Sequence, residues 1–457
     1  MSVTSRCSHV RWSGWAMFVA ALVAQAQIAH GQFGGGFGQQ AVGGISVDAG
    51  GIVRTLEPGA VESLAAERAE ALAAAGWSGK AGDTRTVSLR AVAGAVRQAV
   101  EAGAVLPAEV VFLGGLQRVE KIFVDPDGHD ILLAGPADRL VVDESGAIVG
   151  AESRRPPLQL EDLVVCLRAI DAARAGGMTC SIDPTAQGVQ RLQELLRRQG
   201  AIGSDPTATF AAMEQALGPQ AITVGGVPAD SRFARVLVAA DYRMKRIGMG
   251  LEESGMKALP SYLAMVPAGG RGAALPRFWL EPVYEPLARD ADELAWRIGG
   301  RRMKCLTESD VADKRDVKRA AAPADAVARK WCDAMTASYD ELSAKQPVFA
   351  DLVNCIDLAV VAALIEGRQL AGRAGCDLAA LTDPAVLQLP SYGVPSSVPT
   401  VATGVKKGAA WVVSASGGVK FQPWEFAAST ANDPTLAAAR TATIASRPVS
   451  LAGCSWE

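Results

Sequence analysis

Apolar residues recur at two spacings along this chain, and each spacing predicts a type of secondary structure. Between residues 109 and 150, short apolar runs are separated by turn sequences such as Asp125-Pro126-Asp127-Gly128, a pattern typical of a β-meander. Residues 178–198 and 221–249 each begin with a short strand that leads through a proline into a helix. The pattern therefore predicts an α+β fold that contains a β-meander and strand–helix units.

In the second half of the chain the predicted secondary structure changes twice. Residues 256–322 contain short runs typical of antiparallel strands, and 323–376 predict a long helical hairpin. The second helix of that hairpin, from Pro347 to Glu366, is apolar almost all round, which indicates a central buried position. After a Pro/Ser-rich connector, Ser416-Gly417-Gly418 predicts the turn of a β-hairpin.

Residues 1–31 have the features of a cleavable secretory signal peptide. Arg6 and Arg11 give a positive start, and an apolar run shorter than the roughly 20 residues of a membrane span follows. Cleavage after Ala26 and after Gly31 both fit, and we favour the second; an uncleaved anchor helix is the alternative. The sequence thus predicts an exported soluble protein, periplasmic or extracellular, with no transmembrane span in the mature chain.

The complete segmentation follows from these patterns. The predicted segments are a signal peptide (1–31), a disordered Gly-rich leader with an Ala-rich helix (32–82), an α/β region (83–255), an antiparallel β region (256–322), the helical hairpin (323–376), a C-terminal β-hairpin region (377–428) and a loose tail (429–457).

Removal of the signal peptide would change the composition in ways that exclude several functions. Of three histidines only His129 would remain, and it lies in the Asp125–His129 turn sequence, so multi-histidine metal sites and common histidine-dependent hydrolases are disfavoured. The net charge falls from −3 to about −5, which argues against nucleic-acid binding. We predict no metal, no cofactor and no catalytic residue.

Seven of the eight cysteines would remain after cleavage. Export permits disulfides, and an odd number leaves at least one cysteine unpaired or in an intermolecular bond. Spacing alone does not identify a pair. The odd number also allows a third role, as a subunit of a surface assembly.

One helix carries the most organised candidate site. Over Asp230–Met249 an apolar stripe lies beside a stripe of arginines, and forked guanidinium donors suit carboxylate or phosphate groups. We therefore predict a site for an anionic ligand, such as an acidic glycan, a wall polymer or another envelope protein. The alternative is a solvated helix face whose arginines pair with nearby acids. The candidate residues are Arg232, Arg235, Asp241, Tyr242, Arg243, Lys245 and Arg246.

Two catalytic patterns in the sequence compete with this binding role. Ser254-Gly255-Met256-Lys257 matches the S-x-x-K motif of penicillin-binding enzymes, but the partner motifs of that family are absent. A carboxylate pair for hydrolysis of envelope polymers remains the rival function, because acidic residues are plentiful and spatial separation decides that chemistry.

Four strings together resemble a known family. They are Val111-Phe112-Leu113-Gly114-Gly115-Leu116-Gln117-Arg118, Ile131-Leu132-Leu133-Ala134-Gly135-Pro136-Ala137, Ser181-Ile182-Asp183-Pro184-Thr185 and Ala240-Asp241-Tyr242-Arg243-Met244-Lys245. The chain resembles, over about residues 85–425, an exported bacterial family of planctomycete type that is known only as a domain of unknown function. The resemblance implies export and a shared fold, and it implies no activity.

Overall fold

A computed structural model describes residues 41–74, 82–198, 205–267, 275–300, 303–308, 323–404 and 411–446. The predicted signal peptide lies outside these residues. Mixed and antiparallel sheets occur together with many helices, which confirms the α+β class.

The strands are numbered in chain order. They are β1 Ala41–Val42, β2 Ile45–Val47, β3 Val53–Thr55, β4 Gly82–Ser88, β5 Lys121–Asp125, β6 Asp130–Ala137, β7 Leu140–Val142, β8 Ile148–Gly150, β9 Met178–Pro184, β10 Gln220–Gly225, β11 Arg277–Glu281, β12 Leu287–Arg289, β13 Ala295–Arg297, β14 Lys304–Thr307, β15 Ser397–Val398, β16 Thr403–Gly404, β17 Trp411–Val412, β18 Ser416–Phe421 and β19 Thr430–Asn432.

The helices are numbered in the same way, and a short 3₁₀ turn covers Leu113–Gly115. They are α1 Pro58–Ala74, α2 Leu89–Ala102, α3 Ala108–Val111, α4 Leu160–Ala169, α5 Ala173–Gly176, α6 Ala186–Arg198, α7 Thr207–Leu217, α8 Arg232–Met249, α9 Tyr262–Met265, α10 Pro323–Lys345, α11 Pro347–Gly367, α12 Leu370–Ala374, α13 Ala379–Thr382, α14 Pro423–Ala428 and α15 Thr435–Ala445.

Two six-stranded sheets form the framework. The first large sheet has the order β14-β11-β18-β9-β10-β15, and the second has the order β19-β12-β13-β5-β6-β4. Most neighbours are antiparallel, but β18 runs parallel to β11 and β19 runs parallel to β12. Strand β18 thus connects β11 and β14 to β9 in the first large sheet, whereas β19 is an edge strand of the second, in which β13 pairs with β5.

Helix α11 is the centre of the helical layer. It begins with Pro347 at its first position and is buried from Val348 to Ile365. It packs against four other helices, α4, α8, α10 and α14. Because α11 is buried on every side, its surface is apolar on every side. The predicted helical hairpin is confirmed as α10 and α11. By length and hydropathy α11 would also reach across a membrane, and its apolar window is wholly buried inside the protein.

The N-terminal segment differs from the predicted leader. Residues 41–55 form an antiparallel sheet, β1-β2-β3, which we call the N-terminal sheet. Val42, Ile45 and Val53 are buried in it. The prediction of a disordered leader is therefore wrong for residues 41–50, because apolar surface supplied by distant helices compensates for the Gly-rich composition. The predicted Ala-rich helix is present as α1.

The single meander predicted over 109–150 is wrong as well. Strands β5 and β6 form an antiparallel hairpin in the second large sheet, whereas β7 and β8 form a separate two-stranded sheet. His129 lies in the tight turn between β5 and β6, as predicted, with φ 51°. The strands of 277–307 also divide: β11 and β14 belong to the first large sheet, and β12 and β13 to the second.

The C-terminal predictions require two further corrections. Ser416, Gly417 and Gly418 lie inside β18 rather than at a turn, and β17 pairs with β16, so the predicted hairpin is wrong. The tail is not loose over its described part. Strand β19 pairs with β12, and Leu436 of α15 packs against Phe123 and Leu132 of the second large sheet.

Candidate functional site

Helix α8 carries the predicted site and has well-defined ends. The Ser231 hydroxyl accepts a hydrogen bond from the Ala234 N–H at 3.1 Å, which caps the N-terminus. Gly250 ends the helix in the left-handed conformation, with φ 71°. Between these residues the helix packs on β9, β18 and α11. Its candidate side chains consequently point into different surroundings and do not form one exposed face.

Arg232 stands at the centre of a buried group of acids. Its guanidinium donates to Asp162 and Asp351, with 2.5 Å between Nη2 and the Oδ2 atom of Asp351. The Glu161 carboxylate lies 3.8 Å from its Nε. The Tyr392 hydroxyl lies 3.0 Å from both oxygens of Glu161 and donates to them. We call Glu161, Asp162, Arg232, Asp351 and Tyr392 the Arg232 cluster.

Burial sets the electrostatics of the Arg232 cluster. Loss of solvent, reinforced by the charge of Asp162, raises the pKa of Glu161 to about 7. Burial also raises the pKa of Asp162 to about 6 and raises that of Asp351, and the positive charge of Arg232 opposes both changes. Glu161 and Asp162 therefore lose their protons closer to neutral pH than ordinary carboxyl groups do.

The Arg232 guanidinium stands between the three carboxylates, where a shared metal ion would have to bind. Among the residues that the structure describes, no group of three or more His, Cys, Asp or Glu side chains is arranged to hold a metal.

Four members of the Arg232 cluster, all except Asp162, line one wall of a cavity of about 220 Å³. The N-terminal sheet, α1, α8, α11 and the loop around Tyr392 enclose it. Its charged and polar lining includes Arg68, Glu161, Arg232, Arg243, Asp351 and Tyr392, and its apolar lining includes Val42, Leu56, Val61, Leu64, Phe112 and Val348. A mostly apolar enclosure with a few convergent polar groups is the usual form of a small-molecule site.

Two oxygens in this region lack a hydrogen-bond partner within the described chain. They are Asp162 Oδ1 and Asp351 Oδ1, and both are shielded from solvent. A buried acceptor without a donor costs free energy, so such groups call for an explanation. Asp351 lines the cavity, but this oxygen has almost no accessible surface, so it is a cost of burying the acids around Arg232 and not a contact point for a ligand.

Arg243 reaches the same cavity from farther along α8. Its Nε lies 2.9 Å from Glu252 Oε1. No described protein group accepts a hydrogen bond from its two terminal nitrogens, and a side chain at Gly44 would bring Cβ within 3.3 Å of Nη2. Arg232 and Arg243 are eleven residues apart, which places them on one helix face about 16 Å apart along the axis. Arg243 therefore presents two donors to a ligand.

The other predicted arginines have protein partners. Arg235 donates from Nε to the Gly393 carbonyl at 3.1 Å and lies over the Tyr392 ring. Arg246 lies 3.4 Å from Glu252 and stacks on Tyr242, which is half-buried. Neither arginine, nor Tyr242, lines the cavity. The structure thus brings two of the four arginines, Arg232 and Arg243, to one site.

Asp241 and Lys245 are inside the protein and apart from that cavity. Lys245 Nζ donates to Asp241 at 2.8 Å, to the Ile182 carbonyl at 2.9 Å and to the Gly417 carbonyl at 3.0 Å. The three donors of the ammonium group are all used. Burial raises the pKa of Asp241 to about 7, and Lys245 opposes that rise. The hydrogen bonds of Lys245 therefore hold α8 against β9 and β18.

The S-x-x-K pattern has a local structural explanation. Ser254 is buried, and its hydroxyl donates to the Leu259 carbonyl at 2.6 Å. Lys257 is exposed.

Sequence reasoning missed most of the Arg232 cluster. Glu161 and Asp162 are adjacent acids at the start of an apolar helix, and Asp351 is a charged residue within the most apolar helix of the chain. A charged residue in such a helix is a signal that a partner exists. The identity of the partner required the structure.

Comparison with known proteins gives one match. The profile of a family described as "Protein of unknown function (DUF1598)" matches residues 180–262. This range includes Ser181–Thr185 and Ala240–Lys245, so the resemblance to a domain of unknown function is confirmed there. The planctomycete-type bacterial origin stays a prediction. No curated protein and no solved structure matches the chain. The matched range covers β9, β10 and α8, and therefore both Arg232 and Arg243.

Proposed function

We propose that this chain is an exported binding protein that holds a small anionic ligand of the cell envelope in the cavity beside α8. The observation that carries the proposal is Arg243, which lines the cavity and whose terminal nitrogens have no acceptor among the residues that the structure describes. A guanidinium that lines a concave site is well suited to a carboxylate or phosphate group. Arg68 and Arg232 add positive charge to the same lining.

The size of the cavity limits the ligand. A volume of about 220 Å³ exceeds an apolar cavity of about 150 Å³ that holds one benzene molecule. It suits one sugar or amino-acid unit, so a polymer would enter by its end.

The positions of the polar groups that line the cavity limit the chemical class of the ligand further. Arg243 offers donors on one side, whereas the carboxyl groups of Glu161 and Asp351 and the Tyr392 hydroxyl line the cavity beside Arg232. A ligand that carries an acid group together with several hydroxyl or amino donors matches both sides. An acidic sugar unit has this chemistry.

The decisive test compares two neighbouring arginines by isothermal titration with glucuronic acid, and with glucose as the uncharged probe. Arg243 and Arg246 both pair with Glu252 and have side chains 21% and 23% exposed, but Arg243 alone of the two lines the cavity. Loss of a charged hydrogen bond should weaken binding of glucuronic acid at least about tenfold in Arg243→Ala. Arg246→Ala should change it by less than about twofold. Equal affinities in the two variants, or no binding by the unaltered protein, would contradict the proposal.

One observation favours a second candidate function, a carboxylate-dependent hydrolase. Glu161, with its pKa near 7, and Asp351 line the same cavity. A carboxyl group with a raised pKa beside a second carboxyl group is the kind of pair that glycoside hydrolysis uses. Release of reducing sugar from envelope polysaccharides, abolished in Glu161→Gln without loss of binding, would support this function. Binding without any turnover would support the first proposal.

A further inference from the structure

Two buried cysteines meet between β14 and α10. The Sγ atoms of Cys305 and Cys332 are 3.4 Å apart, and the residues are 4% and 1% exposed. The Cys305 N–H donates to the Thr336 hydroxyl at 2.9 Å, which fixes the strand against the helix beside the two sulfurs. Their contact therefore belongs to a defined packing arrangement.

We propose that Cys305 and Cys332 form an intramolecular disulfide when the chain meets an oxidising thiol–disulfide system. A disulfide bond is about 2.05 Å long, so the sulfurs must approach by about 1.3 Å. A small rotation of each side chain about its Cα–Cβ bond supplies a movement of this size.

The reaction is a thiol–disulfide exchange. A thiolate of one cysteine attacks an external disulfide, such as oxidised glutathione, and releases one glutathione thiol. The second cysteine then attacks the mixed disulfide and releases the other. One sulfur–sulfur bond forms, one breaks, and the two cysteine protons end on the two glutathione molecules. Because both sulfurs are buried in the folded chain, the exchange belongs to folding, before α10 covers β14.

Comparison with the other described cysteines singles out Cys305 and Cys332 as the pair to form a disulfide. Of the six cysteines that the structure describes, Cys305 and Cys332 are the two whose sulfurs touch. The nearest comparable contact joins the Cys166 sulfur to the Cys355 backbone carbonyl at 4.0 Å. With Cys305 and Cys332 joined, the other described cysteines stay as buried thiols, which accommodates an odd number of cysteines without an intermolecular bond.

Peptide mapping tests the proposal directly. The full chain is refolded with a glutathione redox pair, its thiols are blocked in denaturant, and it is digested with trypsin without reduction. Cleavage after Lys304 and Lys330 gives peptides Cys305–Lys314 and Trp331–Lys345. We expect one linked species, two hydrogen masses below the sum of the two peptides, that separates after reduction. Recovery of both peptides in blocked form, or a link from either cysteine to another one, would overturn the proposal.

Thermal unfolding gives an independent measurement. A disulfide between these positions closes a loop of nearly 30 residues, so the oxidised protein should unfold about 5 °C above the reduced protein. In Cys305→Ala/Cys332→Ala this difference should vanish, whereas Cys376→Ala should keep it. An unchanged difference in the double variant would contradict the assignment. If the double variant does not fold, the peptide map of the unaltered chain still decides.

Discussion

At the scale of the residue, Arg232 differs from the other arginines of its helix because several buried carboxyl groups depend on its positive charge. It compensates three buried carboxyl groups at once, with Asp162 and Asp351 in direct hydrogen bonds. The side chain is 11% exposed. Such an arginine is a structural requirement of the site before it is a ligand contact.

We therefore expect Arg232→Ala to cost about 3–5 kcal/mol of unfolding free energy, because it leaves uncompensated buried acids. Urea denaturation followed by circular dichroism measures this cost. Arg246→Ala is the matched control on the same helix, and its partly exposed pair with Glu252 should be worth about 1 kcal/mol or less. A similar small loss in both variants would show that the Arg232 cluster is not a buried charge network.

The Asp241–Lys245 pair allows a different comparison at the same scale. Lys245→Met removes the partner of a buried carboxyl and leaves the carbonyls of Ile182 and Gly417 without their donor. We expect a loss of about 3 kcal/mol or more. In Asp241→Leu/Lys245→Met much of the loss should be recovered, because both buried charges are then absent. Chemical denaturation of the two variants measures the difference, and a double variant less stable than the single one would contradict this reasoning.

Residue types alone could predict part of this site. The arginine spacing places Arg232 and Arg243 on one helix face, since periodicity reports which residues share a face. It could not separate them from Arg235 and Arg246, because their partners, Gly393 and Glu252, come from loops beyond the helix. Arg68 and Tyr392 join the cavity from positions more than 300 residues apart, a distance that no local pattern spans.

At the scale of the element, β18 shows why residues typical of turns do not always predict a turn. Ser416-Gly417-Gly418 has the composition of a hairpin turn, yet it lies in the middle of the first large sheet, between β11 and β9. Both glycines are needed for close approach of backbones. A Cβ atom at Gly417 would lie 2.0 Å from the Phe278 carbonyl oxygen, and one at Gly418 would lie 1.8 Å from that of Cys180.

Gly418→Ala should accordingly force β18 away from β9 and cost at least about 2 kcal/mol of unfolding free energy. Gly94→Ala in α2 is the matched control, because nothing lies within 4 Å of its added Cβ. That substitution should stabilise the protein by about 0.5–1 kcal/mol through helix propensity. Thermal and urea unfolding of both variants measure the contrast. Equal effects would mean that β18 tolerates a side chain at this position.

The elements that were predicted correctly share a property. The helices α8, α10 and α11 have long periodic or continuous apolar patterns, and local pattern is sufficient for them. The N-terminal sheet, β18 and β19 are short and are stabilised by partners distant in sequence. Their residue types favour turns when the sequence is considered locally. Contacts with distant segments make the same residues form strands.

At the scale of the whole molecule, three buried acids on or beside α8 share one sign of pKa change, whereas hydrogen bonds from the 151–153 turn and Arg139 lower the pKa of buried Asp138. Burial raises the pKa of Glu161 and Asp241 to about 7 and that of Asp162 to about 6. Their ordinary values are 4.5 for Glu and 3.8 for Asp. Between about pH 4 and 7 these three groups consequently bind more protons in the folded protein than in the unfolded chain.

The protein should therefore lose stability as the pH rises from about 4 to 7, the reverse of the usual acid-denaturation trend for salt-bridged carboxylates. Each unit of pKa shift corresponds to about 1.4 kcal/mol, so the combined loss should reach several kcal/mol. Above about pH 7.5 the dependence should level off, since all three groups are then ionised in both states. Unfolding midpoints in urea, measured at half-unit pH intervals, give the profile. Asp241→Asn should reduce the slope, while Asp127→Asn, in the exposed turn before His129, should leave it unchanged. A stability that rises over this interval would show that Arg232 and Lys245 keep these carboxyl groups ionised, and the sign of the slope thus reports whether burial or charge pairing dominates inside this protein.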